Sequence, residues 1–205
     1  YHHLYARGDR VGVPPDDLER YDDSIRLHLA EINRNRTEPI TLKYFQYLAA
    51  LYVEIFLDRR FGRPEALLRE LDAFAEGQED ETIRFEEGDL DKLAFWMATG
   101  SGKTLLMHLN YRQFLRYNDE PLDNVLLITP TEGLTEQHLR EMRLSGIPCE
   151  RFSGARSGLG LDAPDTVRAT EITKLTENKQ GGGVSVDAEA CEGRNLTFVD
   201  EGHKG

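Results

Sequence analysis

Apolar positions recur along this chain at two different periods, and the change falls near Asp91. Before it the spacing is helical. Tyr44, Phe45, Leu48, Leu51, Tyr52, Ile55 and Phe56 predict a helix over residues 41–61 with one apolar face. Gly62-Arg63-Pro64 ends it, and Pro64 suits the first turn of a second helix over 65–76, with Leu67, Leu68, Leu71 and Phe74 inward. Residues 1–40 are polar, broken at Pro14-Pro15, with a short helix expected over 18–32. Residues 78–91 read as an acidic connector with weak strand character at 82–85.

After Asp91, short apolar runs alternate with helical stretches. Strands are expected at 93–97, 125–128, 148–152, 166–170 and 196–199. Helices are expected at 103–117, 133–144 and, briefly, 171–177, and a surface loop at 179–193. Such alternation predicts an α/β fold, a parallel sheet flanked by helices. The expected domains are a mainly helical region over 1–90 and an α/β domain over 91–205. No internal repeat is evident.

Chemistry enters at the first strand-to-helix turn. Ala98-Thr99-Gly100-Ser101-Gly102-Lys103-Thr104 joins an apolar run to a helix, the arrangement a triphosphate needs. Gly100 and Gly102 let the backbone turn several N–H groups toward one anion. The helix start adds its positive dipole end. Lys103 offers a point charge to the β- and γ-phosphates, and Thr104 a hydroxyl to Mg²⁺. Met97 stands where the strict pattern has another glycine. An ordinary glycine turn is the bland alternative, and the Gly-Lys-Thr string argues against it. The expected ligand is ATP with Mg²⁺.

A second cluster follows the last apolar run, Leu196-Thr197-Phe198-Val199, which ends in Asp200-Glu201. Strand C-termini of an open parallel sheet face the ligand crevice. Asp200 is therefore the candidate metal ligand, with Thr104, and Glu201 the candidate base for the attacking water. His203 is a candidate γ-phosphate sensor. Alone, the acidic pair would read as a solvated turn.

The 205 residues carry a formal charge of −12, with 39% hydrophobic and 30% charged residues. That composition is globular, and the charge weighs against a general nucleic-acid coat without excluding a local basic groove. No apolar run is long enough to span a bilayer. Two cysteines, Cys149 and Cys191, match neither a metal spacing nor a disulfide framework, which points to a reducing cytoplasm. The chain begins without Met and stops at Gly205, so a larger protein is expected.

The two clusters resemble motifs I and II of superfamily 2 DEAD/DEAH-box helicases: residues 97–104, and Asp200-Glu201-Gly202-His203. Thr129-Pro130-Thr131 after its strand resembles motif Ia, and the stretch ending at Thr170 resembles the strand of motif Ib or Ic. The nearest likeness is the helicase (Res) subunit of type III restriction enzymes and related phage-defence helicases, and it covers roughly residues 90–205. It implies a RecA-like P-loop NTPase domain, here the first of two lobes, with arginine fingers supplied by a second RecA-like domain. It implies ATP hydrolysis coupled to movement on DNA, less readily RNA, alongside other restriction or defence subunits. A lobe without its partner would hydrolyse ATP very slowly.

The resemblance also implies that Thr129, Pro130, Thr131 and Thr170 touch nucleic acid. A helix N-cap is an equal reading of the tripeptide. An upstream glutamine is implied to read adenine. Gln46 is the candidate, although a surface glutamine on an amphipathic helix is the stronger reading of it. Two further functions stay open, a P-loop switch ATPase without a nucleic-acid partner and a non-catalytic docking module.

Overall fold

The structure is a computed structural model and describes residues 13–76, 84–152, 165–176, 186–187 and 191–201. It divides into two compact units. The first comprises residues 1–29 and 41–119, the second residues 30–40 and 120–205. The contacts do not divide at the expected 90/91, because the phosphate-loop helix packs with the helix over residues 44–62.

The first unit is helical. Helix α1 (Pro15–Asn33), whose last four residues count with the second unit, opens with Asp16 and Asp17 in its first turn, where carboxylates complement the helix dipole. It starts before the expected 18–32, since proline is well placed at a helix start. Helix α2 (Tyr44–Gly62), α3 (Pro64–Glu76) and α4 (Lys103–Tyr117) follow.

The face that α2 buries matches the expected apolar face only in part, with Leu51 common to both. Tyr44, Phe45 and Tyr52 are exposed, while Gln46, Ala50, Leu51, Val53, Glu54 and Leu57 are buried. Phe74 of α3, expected inward, is also exposed. Helical spacing groups residues by face but does not say which face meets a neighbour.

Residues 93–97 belong to no strand. The run has no ladder partner among the described residues, and Trp96 is 98% exposed. An apolar run becomes a strand only where a neighbour takes up its backbone hydrogen bonds. Of the connector's expected strand, Arg84 and Phe85 are described and form none.

The second unit holds a sheet of four strands among the described residues. They are β1 (Asn124–Thr129), β2 (Cys149–Arg151), β3 (Val167–Glu171) and β6 (Asn195–Val199), all parallel in the order β2-β3-β1-β6. Central β1 is buried at Val125, Leu126 and Leu127, as a strand covered on both faces must be. In register, Leu127 faces Ala169 on one side and Phe198 on the other.

Helix α5 (Glu132–Leu144) packs on β1, β2 and β3, burying Thr135, His138, Leu139 and Met142. Past β3 the expected helix is a single 3-10 turn, Ile172–Lys174. It leads into β4 (Leu175–Thr176), which pairs with β5 (Val186–Asp187). The loop expected at 179–193 is thus interrupted by a strand; residues 179–185 and 188–190 lie outside the described residues. No helix among the described residues is long and apolar enough to cross a membrane.

Candidate nucleotide site

The phosphate loop lies in the first unit. Ser101 donates through both its backbone N and its Oγ to the Ala98 carbonyl, at 3.2 and 2.6 Å, closing a tight turn. Gly100 and Gly102 have φ of +74° and +93°, the left-handed region that a side chain disfavours. Gly102 is the N-cap of α4, and Leu106 N donates to its carbonyl at 3.1 Å. Lys103 and Thr104 therefore form the first turn of a helix whose leading amides have no partner within the helix. Such a cradle suits a phosphate group.

Gln46 braces this loop. It is buried, not the surface glutamine that its amphipathic helix also allowed. Lys43 N donates to its Oε1 at 2.9 Å, and its Nε2 donates to the Ser101 carbonyl at 2.7 Å. A Cβ on Gly102 would lie 2.3 Å from Nε2, so close approach and left-handed φ both call for glycine there. One amide hydrogen and one carbonyl lone pair of Gln46 are left for a ligand.

At its other end α4 is tied to α2 through Glu54, which is fully buried. Glu54 accepts from Ser24 Oγ at 2.9 Å, Gln113 Nε2 at 3.0 Å and Tyr117 Oη at 2.7 Å. Gln113 also donates to the Ala50 carbonyl at 2.9 Å. Burial, then the hydrogen bond to Glu54, pushes the Tyr117 phenol well above its ordinary range. Outside the loop, the exposed face of α2 and residues 93–98 line a groove of about 620 Å³, with Phe45, Tyr52, Phe95, Trp96 and Ser101 in its walls.

The acidic pair lies in the second unit. The sheet ladder continues one step past β6, with Asp200 N donating to the Ile128 carbonyl at 3.0 Å. Asp200 is thereby fixed at the C-terminal end of the sheet. Its Oδ2 is 2.9 Å from His138 Nε2 on α5, and the two side chains are 13% and 4% exposed. Glu201 has φ +55°, unusual for a residue with a side chain and a form of strain that clusters at functional sites. His203 lies outside the described residues.

The motif Ia residues divide by exposure. Thr131 is exposed and caps α5, accepting from Leu134 N at 3.4 Å. Pro130 is half-buried, and Thr129 is buried with its hydroxyl 2.6 Å from that of Thr135. Thr170 is buried as well. The side chains of Thr129 and Thr170 are thus turned into the protein.

Thr135 also donates to Glu171 Oε1 at 2.9 Å, as does Arg151 Nη1 at 2.9 Å, and Lys174 pairs with the other oxygen. Burial pushes the Glu171 carboxyl up, but Lys174, Thr135 and Arg151 outweigh it and hold it below the usual range. Both cysteines are free thiols pushed up by burial.

Among the described residues no three His, Cys, Asp or Glu side chains gather to hold a metal ion. A divalent ion bound with Thr104 or Asp200 would take its remaining oxygens from water and phosphate, as Mg²⁺ commonly does. The hydroxyl and carboxylate are hard oxygen donors, so the residues present fit that ion.

The pairing of His138 with Asp200 was not legible in the sequence. The only signal was a histidine and a threonine interrupting the buried side of α5.

A family model described as "Type III restriction enzyme, res subunit" matches residues 65–205, well over half of the chain. Comparison with curated proteins and with solved structures returned no match.

Proposed function

The chain belongs to the type III restriction enzyme res-subunit family, which makes it a helicase-type ATP-binding domain of RecA-like fold, and from that premise we propose that it binds ATP with Mg²⁺ and couples hydrolysis to movement on DNA. The observation that carries the proposal is the phosphate loop. Two left-handed glycines stand directly before a helix that opens with Lys103-Thr104.

In this reading the amides of residues 98–104 cradle the phosphates, and Lys103 follows the γ-phosphate as charge builds on it. Thr104 and Asp200 would hold a Mg²⁺ ion, which would supply neutralisation of phosphate charge. Glu201 orients the attacking water and accepts its proton, and His203 senses the γ-phosphate. Gln46 offers the spare hydrogen-bonding capacity of its amide to adenine. Thr131 and the amides that open α5 contact DNA phosphates, with Pro130 beside them. A second RecA-like domain supplies arginine fingers.

Lys103→Ala tests the reading. Affinity for a fluorescent ATP analogue should fall about 100-fold, the cost of roughly 3 kcal/mol of charge-assisted hydrogen bonding. DNA-stimulated hydrolysis by the full-length protein should vanish. Unchanged nucleotide affinity in a folded Lys103→Ala protein would overturn the proposal.

A further inference from the structure

His138 has one polar contact among the described residues, and that contact is Asp200, 2.9 Å away. The ring is buried by packing of α5 on the sheet, and its Nδ1 has no hydrogen-bond partner among the described residues. Buried polar atoms are nearly always paired, so a half-satisfied imidazole in an otherwise packed helix face asks for a reason. The Asp200 backbone is independently fixed by its ladder bond to Ile128. What that bond leaves undetermined is the rotation of the carboxylate about its own side-chain torsions, and Nε2 pins it.

We propose that His138 is a positioning residue for Asp200. Its Nε2–H donates to Oδ2, so that Oδ1 remains as the oxygen offered to the hydrated magnesium ion. The inference rests on the magnesium-nucleotide reading of the site. The physical reasoning is general. A carboxylate that must select among orientations each time it meets a metal loses affinity, and an outer hydrogen bond that selects one in advance restores it. His138 therefore governs how well the metal is held and has no part in how well the nucleotide binds without metal. A packing role predicts no such separation, because loosening α5 would disturb binding with and without metal alike.

Three variants of the full-length protein separate the cases. His138→Phe keeps ring volume and removes the donor. His138→Gln returns an N–H at similar reach. Asp200→Asn removes the charge that the donor serves. For each, Mn²⁺ affinity of the nucleotide complex is read by electron paramagnetic resonance, and fluorescent ATP-analogue affinity is read in EDTA.

His138→Phe should weaken Mn²⁺ binding about 10- to 100-fold while leaving metal-free nucleotide affinity within about twofold. His138→Gln should recover most of the loss. In an Asp200→Asn background His138→Phe should add nothing further. Should His138→Phe fail to fold, His138→Asn, whose amide falls short of Asp200, takes its place with the same expected result.

Unchanged Mn²⁺ affinity on loss of the donor overturns the proposal. So does equal weakening with and without metal, or a Gln variant as poor as the Phe variant. If the unaltered protein binds no nucleotide at all, the magnesium-nucleotide reading has failed and this inference falls with it.

Discussion

Gly102 and Asp200 are held by different kinds of support. The loop around Gly102 leans on helices, with Gln46 bracing its last turn and Glu54 tying the far end of α4 to α2. The run before it has no ladder partner among the described residues. Asp200 is set by a parallel ladder one step beyond β6, and His138 orients its carboxylate. The first support is a small set of side-chain hydrogen bonds, some fully buried. The second is mostly backbone. Side-chain supports fail one residue at a time, whereas ladders spread the load, so single substitutions should hurt the loop side more.

The largest effect on stability is expected at Glu54. Glu54→Ala strands the donors of Ser24, Gln113 and Tyr117 in the interior and should cost about 3 kcal/mol or more in urea unfolding. A loss below about 1 kcal/mol would mean the network is a minor support, and the contrast drawn above would fail. Gly102→Ala comes next. The left-handed φ alone costs about 1–2 kcal/mol, and Gln46 must also move away. Unfolding should register both terms, and adding Gln46→Ala should return the part due to contact but not the part due to φ. If the double variant recovered everything, backbone strain would not be what glycine relieves there.

The smallest effect belongs to the sheet side and depends on pH. The folded Glu171 carboxyl is held below its ordinary range, so its contribution is complete above the ordinary carboxylate pKa. It is lost as pH falls through the lower folded value. On the order of 1 kcal/mol should separate the native protein from Glu171→Gln at pH 7, closing as the solution is acidified toward pH 3. Thermal midpoints across that range would show it, and a gap that widens with acid would contradict the ion-pair account.

Much of the second unit was readable in the sequence. The central strand at 125–128, the helix at 133–144 and the last strand at 196–199 are found within a residue or so of their expected bounds. A strand buried on both faces writes itself as an unbroken apolar run. The glycines of the phosphate loop were readable for a similar reason, since few roles besides a left-handed turn call for them in that string. Facing was what the sequence concealed. The pattern on α2 marked Tyr44, Phe45 and Tyr52 as its apolar side, yet the helix turned Gln46 and Glu54 inward, because α4 offered Gln113 and Tyr117 to meet Glu54. Residues 93–97 misled because apolarity reports a wish to be covered and says nothing of the partner. His138 became visible only once tertiary contacts brought it beside Asp200, and Gln46, already a candidate in the sequence, showed its hold on the phosphate loop only there.

Trp96 is the only tryptophan in the sequence, and it stands almost wholly in solvent a few positions before the phosphate loop. The molecule therefore carries its own optical reporter. Its emission should be that of a hydrated indole, open to collisional quenchers. Anything that comes to cover the groove walls would shift the light to the blue and shield the ring, without any label being attached.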